Sequence, residues 1–113
     1  MKKVQKPWGY EIWWAVTDKY LGKILHINKS HSLSYQYHEI KDETIYLYSG
    51  EILLEIEEVD KPREVKRLTA GESLRITPLT KHRMTAIEDS DVIEVSTPEY
   101  EDLVRLDDKY GRI

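Results

Sequence analysis

The feature that most constrains this chain is an apolar alternation of period two, repeated in short segments from near one end to the other and broken by turn residues. Tyr10 to Val16 is aromatic and β-branched, and Leu21 to Ile27 and Leu33 to Tyr37 follow it. Glu43 to Tyr48 runs into Ser49-Gly50-Glu51, a hairpin turn, and Ile52 to Val59 returns. Asp60-Lys61-Pro62-Arg63 and Ala70-Gly71-Glu72 set off Glu64 to Thr69 and lead into Ser73 to Thr77. His82 to Ile87, the turn Glu88-Asp89-Ser90, and Asp91 to Thr97 complete the series. Successive side chains of a strand point to opposite faces, so each segment has one face to bury. Turn signals roughly every 8–12 residues predict a sandwich or closed barrel. Only Tyr100 to Leu106, with Leu103, Val104 and Leu106, predicts a short C-terminal helical turn. The expected architecture is all-β, one domain over residues 1–113.

That length removes roughly two-thirds of the unfolded surface from water, enough for one core without covalent staples. Cysteine is absent, which excludes a disulfide scaffold, a thiolate metal site and a cysteine nucleophile. Any metal must therefore rest on imidazole, carboxylate or amide oxygen, with four histidines to share that work. Lys and Arg number 17 against 21 Asp and Glu, a net charge of -4 with the signs interspersed. This predicts no nucleic-acid and no membrane partner. No apolar run approaches the ~20 residues of a membrane span. The basic start, Met1 to Pro7, has no apolar stretch behind it, so the expected location is cytoplasmic. Tyrosine numbers eight while phenylalanine is absent. Tyrosine then either supplies the aromatic core or turns its hydroxyls into a polar cavity.

Chemistry concentrates between Gln36 and Glu43, with His82 at a distance. On a strand Gln36 and His38 point the same way. Glu43 opens a strand whose Ile45 and Leu47 share its face, so an ionised carboxylate would point into an apolar interior, a costly placement unless a cation sits beside it. His82 likewise begins a strand with Met84 and Ala86 on its side. One amide, two imidazoles and one carboxylate make a mixed N/O set suited to one divalent ion per chain. Zinc stands first, with manganese, iron, cobalt or nickel possible, and soft copper(I) is disfavoured. Spacing alone does not choose between this metal site and a set of solvated rim residues.

These residues resemble the cupin motifs, G-x5-H-x-H-x3-4-E-x6-G and G-x5-P-x-G-x2-H-x3-N. The chain reads Ser30-x5-Gln36-x-His38-x4-Glu43-x6-Gly50 and Gly71-x5-Thr77-x-Leu79-x2-His82-x3-Ala86, with the proline displaced to Pro78. More narrowly it is similar to the cupin domain of type II mannose-6-phosphate isomerases. The matching pieces are Lys6-Pro7-Trp8-Gly9-Tyr10-Glu11, Leu33 to His38, Lys81-His82-Arg83, and Asp102 to Arg112. Relatives often carry His where this chain has Ile40 and Asn where it has Ala86. The resemblance implies a jelly-roll barrel holding a metal in one mouth through Gln36, His38, Glu43 and His82.

It also implies aldose–ketose isomerisation of a sugar phosphate through an enediol, the metal polarising the carbonyl and hydroxyl oxygens. A base must then reach a carbon-bound proton; Lys41, Glu39 and His31 are candidates by position only, and a solvated loop residue is the simpler reading of each. Arg105, Arg112 and Tyr110 are candidate substrate contacts, with structural ion pairs to Asp107 and Asp108 as the alternative. Arg83 points away from His82 on a regular strand, and His26 reads as a strand-face residue. Alternatives to the isomerase are another metal-dependent isomerase, epimerase or oxygenase, and a carbohydrate-binding module. Edge strands need cover, and Trp13 and Trp14 pairing across a two-fold axis predict a homodimer.

Overall fold

The computed structural model describes residues Met1 to Ile113 as eleven strands and no helix. They are β1 (Lys2–Lys6), β2 (Gly9–Val16), β3 (Leu21–Ile27), β4 (Tyr35–Tyr37), β5 (Glu43–Ser49), β6 (Glu51–Glu57), β7 (Glu64–Thr69), β8 (Ser73–Ile76), β9 (Lys81–Ala86), β10 (Ser90–Ser96) and β11 (Val104–Asp107). Two sheets, ordered β1-β2-β3-β10-β5-β8 and β11-β4-β9-β6-β7, face each other, and neighbouring strands pair antiparallel throughout. Strand β10 lies between β3 and β5, and β9 between β4 and β6, so late segments are inserted among early ones.

The period-two pattern produces this directly. In β6 the side chains of Ile52, Leu54 and Ile56 are buried while Glu51, Leu53, Glu55 and Glu57 are partly exposed. Ile45 and Leu47 of β5 and Leu25 and Ile27 of β3 do the same from the other sheet, and one cluster of fourteen buried residues fills the space between. Burying each such side chain stabilises by roughly 1.5–3 kcal/mol. Two glycines are obligatory on steric grounds. A Cβ on Gly9 would run into the carbonyl oxygen of His26, and Gly50, at φ +90°, turns β5 into β6 against Ser90.

One expectation is corrected. The tail forms no helical turn; Val104 and Arg105 pair with Tyr37 and Gln36, extending the sheet as β11. The reason is the free edge of β4, only three residues long, whose backbone groups need a partner. The basic N-terminal residues form β1, which hairpins onto β2.

Candidate metal centre

The inner row of the five-stranded sheet runs Arg105, Gln36, His82, Ile56, each directly opposite the next across β11, β4, β9 and β6. Directly opposed residues share a face, so Gln36 and His82 look into the barrel together. From the facing sheet Glu43, first residue of β5, points back at them, and His38 follows β4 by one residue. His38, Glu43 and His82 are all buried, with ligand atoms within 4.8 Å of one another.

The imidazoles are oriented by their far sides. His82 Nδ1 donates to the Thr80 carbonyl at 2.9 Å, and His38 Nδ1 donates to the Asp102 carbonyl. A carbonyl only accepts, so Nδ1 carries a hydrogen in both rings, and in the neutral form of each ring Nε2 is left with a lone pair. Both Nε2 atoms are buried with no hydrogen-bond partner. They face the same oxygen, Glu43 Oε1, at 3.7 Å from His38 and 3.2 Å from His82, the latter an approach without hydrogen-bond geometry. Two lone pairs and a carboxylate converging in a dry interior are a destabilising arrangement unless a cation joins them. Ligand atoms about 2.1 Å from a tetrahedral ion stand roughly 3.4 Å apart, between the 3.2 and 3.7 Å that separate Glu43 Oε1 from the two nitrogens. A histidine that gives its second N–H to a carbonyl is also the usual support of a metal ligand. These residues fit a metal ion. Gln36 Oε1 accepts from Ser34 Oγ at 2.6 Å and has a second lone pair.

In the metal-free chain, burial opposes the charged form of His38, and the nearby Glu43 carboxylate, aided by the Asp102 carbonyl, outweighs it and raises its pKa. Burial would push the Glu43 carboxyl up, but His38, His82 and Lys41 hold it well below the usual carboxylate range.

Lys41 is no solvated loop residue. It is 4 % exposed, its Nζ 2.8 Å from Glu94 Oε2 and 3.3 Å from Glu43 Oε2. Against the cost of burial, Glu94 and Glu43 raise its pKa, which favours the ammonium form and opposes a role as base. Glu94 is shifted upward by burial and the Glu43 charge, despite Lys41 and Lys23. The other two base candidates stand elsewhere. Glu39 is exposed, and His31 Nδ1 meets the Tyr110 hydroxyl at 2.7 Å in a stacked pair; neither lines the cleft above Gln36, His38 and Glu43. Tyr110 is thereby occupied and also outside it.

That cleft encloses about 670 Å³, including solvent space at its mouth. Arg105 and Arg112 both line it. Arg112 is committed to Asp108 through two side-chain contacts of 2.9 and 2.8 Å, which lower the Asp108 pKa to about 2. Arg105 Nε is buried and has no partner. Trp13 also turns into the cleft, its Nε1 donating to Glu11 at 2.8 Å, so of the expected interface pair only Trp14 faces outward. His26 pairs with Asp91 at 2.7 Å and Arg83 with Glu55 at 2.7 Å, both away from the cleft.

Three contributors escaped the sequence reading. Asp102 gives its carbonyl to His38 and its carboxylate to the amides of Glu39, Ile40 and Lys41 at 3.0, 2.7 and 2.9 Å, fixing the loop between two ligands. Burial opposes its charge, and those three amides more than offset the cost, lowering its pKa. Glu94 and Glu11 are inward members of β10 and β2 whose alternation with apolar neighbours was the available signal.

No protein-family model matches the chain, and no curated protein sequence matches it. Solved structures do. KdgF from Halomonas sp. superposes with a TM-score of 0.78 at 22 % identity, over 89 % of this chain and 91 % of that one. The fold is the cupin fold. Oxalate decarboxylase from Bacillus subtilis (TM-score 0.78, 11 % identity) and the capsular polysaccharide assembling protein CapF from Staphylococcus aureus (TM-score 0.77, 14 % identity) share it. The chain is covered over 93 % and 95 % of its length in those alignments but spans about a third of theirs, 30 % and 32 %.

The backbone agrees with the cupin motifs where the letters do not. Ser30 and Leu79 occupy the two motif glycine positions this chain has lost, and both keep the left-handed conformation, at φ +69° and +67°. Of the other departures, Ile40 is 64 % exposed and Ala86 is packed in the core, so neither reaches the cleft.

Proposed function

We propose that this cupin is a metal-dependent isomerase of sugar phosphates, interconverting an aldose and a ketose. The observation that carries the metal is the pair of buried, unpartnered imidazole nitrogens aimed at Glu43. Gln36, His38, Glu43 and His82 would hold the ion, zinc first among the divalent candidates, as a Lewis acid that polarises adjacent sugar oxygens. Lys41 keeps Glu43 ionised and fixed from behind. Arg105 supplies the anion contact, since its Nε is desolvated without a partner and opens on the same cleft. With Lys41 tied between Glu94 and Glu43, the proton between C1 and C2 falls to Glu11, a cleft carboxylate outside the ligand set, held by Trp13 and lying 3.7 Å from Lys23. Trp8 and Trp13 line the walls beside the sugar.

Metal analysis of purified protein, then a coupled assay of mannose 6-phosphate to fructose 6-phosphate conversion with zinc, manganese, iron, cobalt and nickel, tests this reading. Turnover lost in His82→Ala and Glu43→Gln, and lost in Glu11→Gln with metal retained, is the expected pattern. Stoichiometric metal without turnover shifts the reading to a cupin of different chemistry. A protein that takes up no metal on reconstitution refutes both.

A further inference from the structure

The cleft holds one enclosed cation that the chemistry above leaves unused. Lys23 belongs to the inward row of β3 with Leu25 and Ile27 and is only 7 % exposed, a rare placement for lysine. It stands directly opposite Glu94 of β10 and Trp13 of β2. Its Nζ makes no hydrogen bond: Glu11 Oε1 is 3.7 Å away and the Trp13 ring centroid 4.3 Å. Trp13 Nε1 donates to that same Oε1 at 2.8 Å, which leaves Glu11 Oε2 without a partner. Lys23 and Glu11 thus lie side by side in the cleft, an enclosed ammonium next to a carboxylate with one free oxygen.

Moving a carbonyl between adjacent carbons takes two proton transfers, one at carbon and one at oxygen, and Glu11 accounts for the first alone. The other cations of the cleft do not supply the second. Lys41 is held between Glu94 and Glu43, Lys6 is partly exposed, and the guanidinium groups of Arg105 and Arg112 keep their protons. We propose that Lys23 is a catalytic residue, the carrier of the oxygen-bound proton beside Glu11 as the carrier of the carbon-bound one; the assignment rests on the isomerase reading above. From the open-chain aldose, Glu11 takes the hydrogen of C2 as the C1–C2 double bond forms. The C1 carbonyl pair moves to O1, which takes a proton from the Lys23 ammonium. The resulting amine then removes the proton of the hydroxyl on C2, the C2 carbonyl forms, and C1 recovers the proton held by Glu11. Both residues end as they began, and no oxidant, reductant or further reactant is consumed. Their adjacency couples the two transfers. A protonated Glu11 no longer holds the ammonium by charge, so the event that builds negative charge on O1 also releases a proton beside it.

Conversion of mannose 6-phosphate in D2O by the zinc-loaded chain, with NMR of both sugars, tests this. Lys23→Met should slow ketose formation by roughly a hundredfold or more. Lys23→Arg separates a charge from a proton carrier, because its guanidinium faces Glu11 but gives up no proton. It should make ketose as slowly as Lys23→Met, yet place deuterium at C2 of the recovered aldose faster than it makes ketose. Glu11→Gln should lose both together. Melting temperature and zinc content equal to the parent's qualify the variants, and Lys23→Gln replaces Lys23→Met where methionine fails them. A Lys23→Met rate within about threefold of the parent's overturns the proposal, being far less than a proton carrier contributes. So does near-parental turnover by Lys23→Arg, which would make the site a charge only. Exchange and conversion that fall in step in Lys23→Arg, as for a merely structural cation, overturn it as well. A parent chain that neither exchanges deuterium nor makes ketose overturns the isomerase reading itself, and this assignment with it.

Discussion

Replacing Lys41 with methionine keeps the length of the side chain and deletes one charge from the most enclosed electrostatic group of the barrel. Lys41, Glu94 and Glu43 are 4, 5 and 3 % exposed, and the ammonium lies 2.8 and 3.3 Å from the two carboxylates. At an effective dielectric of about 20, each contact corresponds to roughly 5 kcal/mol of Coulomb attraction, largely offset by the cost of desolvating all three groups. Removing the cation leaves the desolvation cost in place and two carboxylates facing each other. The expected loss is about 3–5 kcal/mol, a large part of the stability of a domain this size.

The loss depends on pH, with a definite sign. The Glu94 pKa is already raised, by burial first and then by Glu43. A carboxyl raised in the folded state favours folding below its unfolded value, and that contribution disappears as pH rises through the folded value. Without Lys41 the rise is larger, so the variant should be weakest near pH 8 and recover toward pH 5 as Glu94 takes a proton. Urea unfolding followed by tryptophan fluorescence, in chelator at both pH values, measures this. Lys41→Met/Glu94→Leu should regain much of the loss, giving a coupling energy of at least about 1 kcal/mol in the double-mutant cycle. A loss under about 1 kcal/mol, or one that does not change between pH 5 and 8, refutes the reasoning.

Three further outcomes are expected. Leu79→Gly should stabilise the chain by about 0.5–1 kcal/mol in the same assay, because Leu79 is 49 % exposed at φ +67° and relief of left-handed strain exceeds the added glycine entropy. Zinc should raise the melting temperature by an increment that grows from pH 6 to pH 8. The raised His38 pKa stabilises the metal-free protein below the usual histidine range and that gain fades as pH rises through the folded value, whereas zinc needs the neutral ring; an increment flat in pH argues against His38 as a ligand. Asp102→Ala should weaken zinc binding by about 10–100-fold in a competition titration, through release of the three loop amides it holds beside His38.

The alternation from Tyr10 to Thr97 was enough to name an all-β barrel, and the inward parity of Glu43 and His82 was enough to nominate them as ligands. Both rest on a strand's two-residue period, which is local and survives in any context. Ser30 and Leu79 were harder to read as motif positions, since the letter is not glycine; only the observed φ values show that the backbone still bends there. The tail misled because Leu103, Val104 and Leu106 satisfy neither period cleanly, and what decided it was a short β4 lacking a neighbour. Lys41 misled in the opposite direction. Its loop position argued for solvent, while its burial follows from Glu94, fifty-three residues away in sequence.

The chain's own order of residues thus determined which side chains point inward and which chemical types are available to a metal. The tertiary structure alone decided which of those inward groups meet. It set two imidazole lone pairs against one carboxylate, put an ammonium behind that carboxylate, and left one guanidinium nitrogen unpaired in the cleft. Alternation is fixed by the geometry of one strand, whereas an encounter between charges depends on strand order and register. Those are set by how the two sheets share their core, a property no single segment carries.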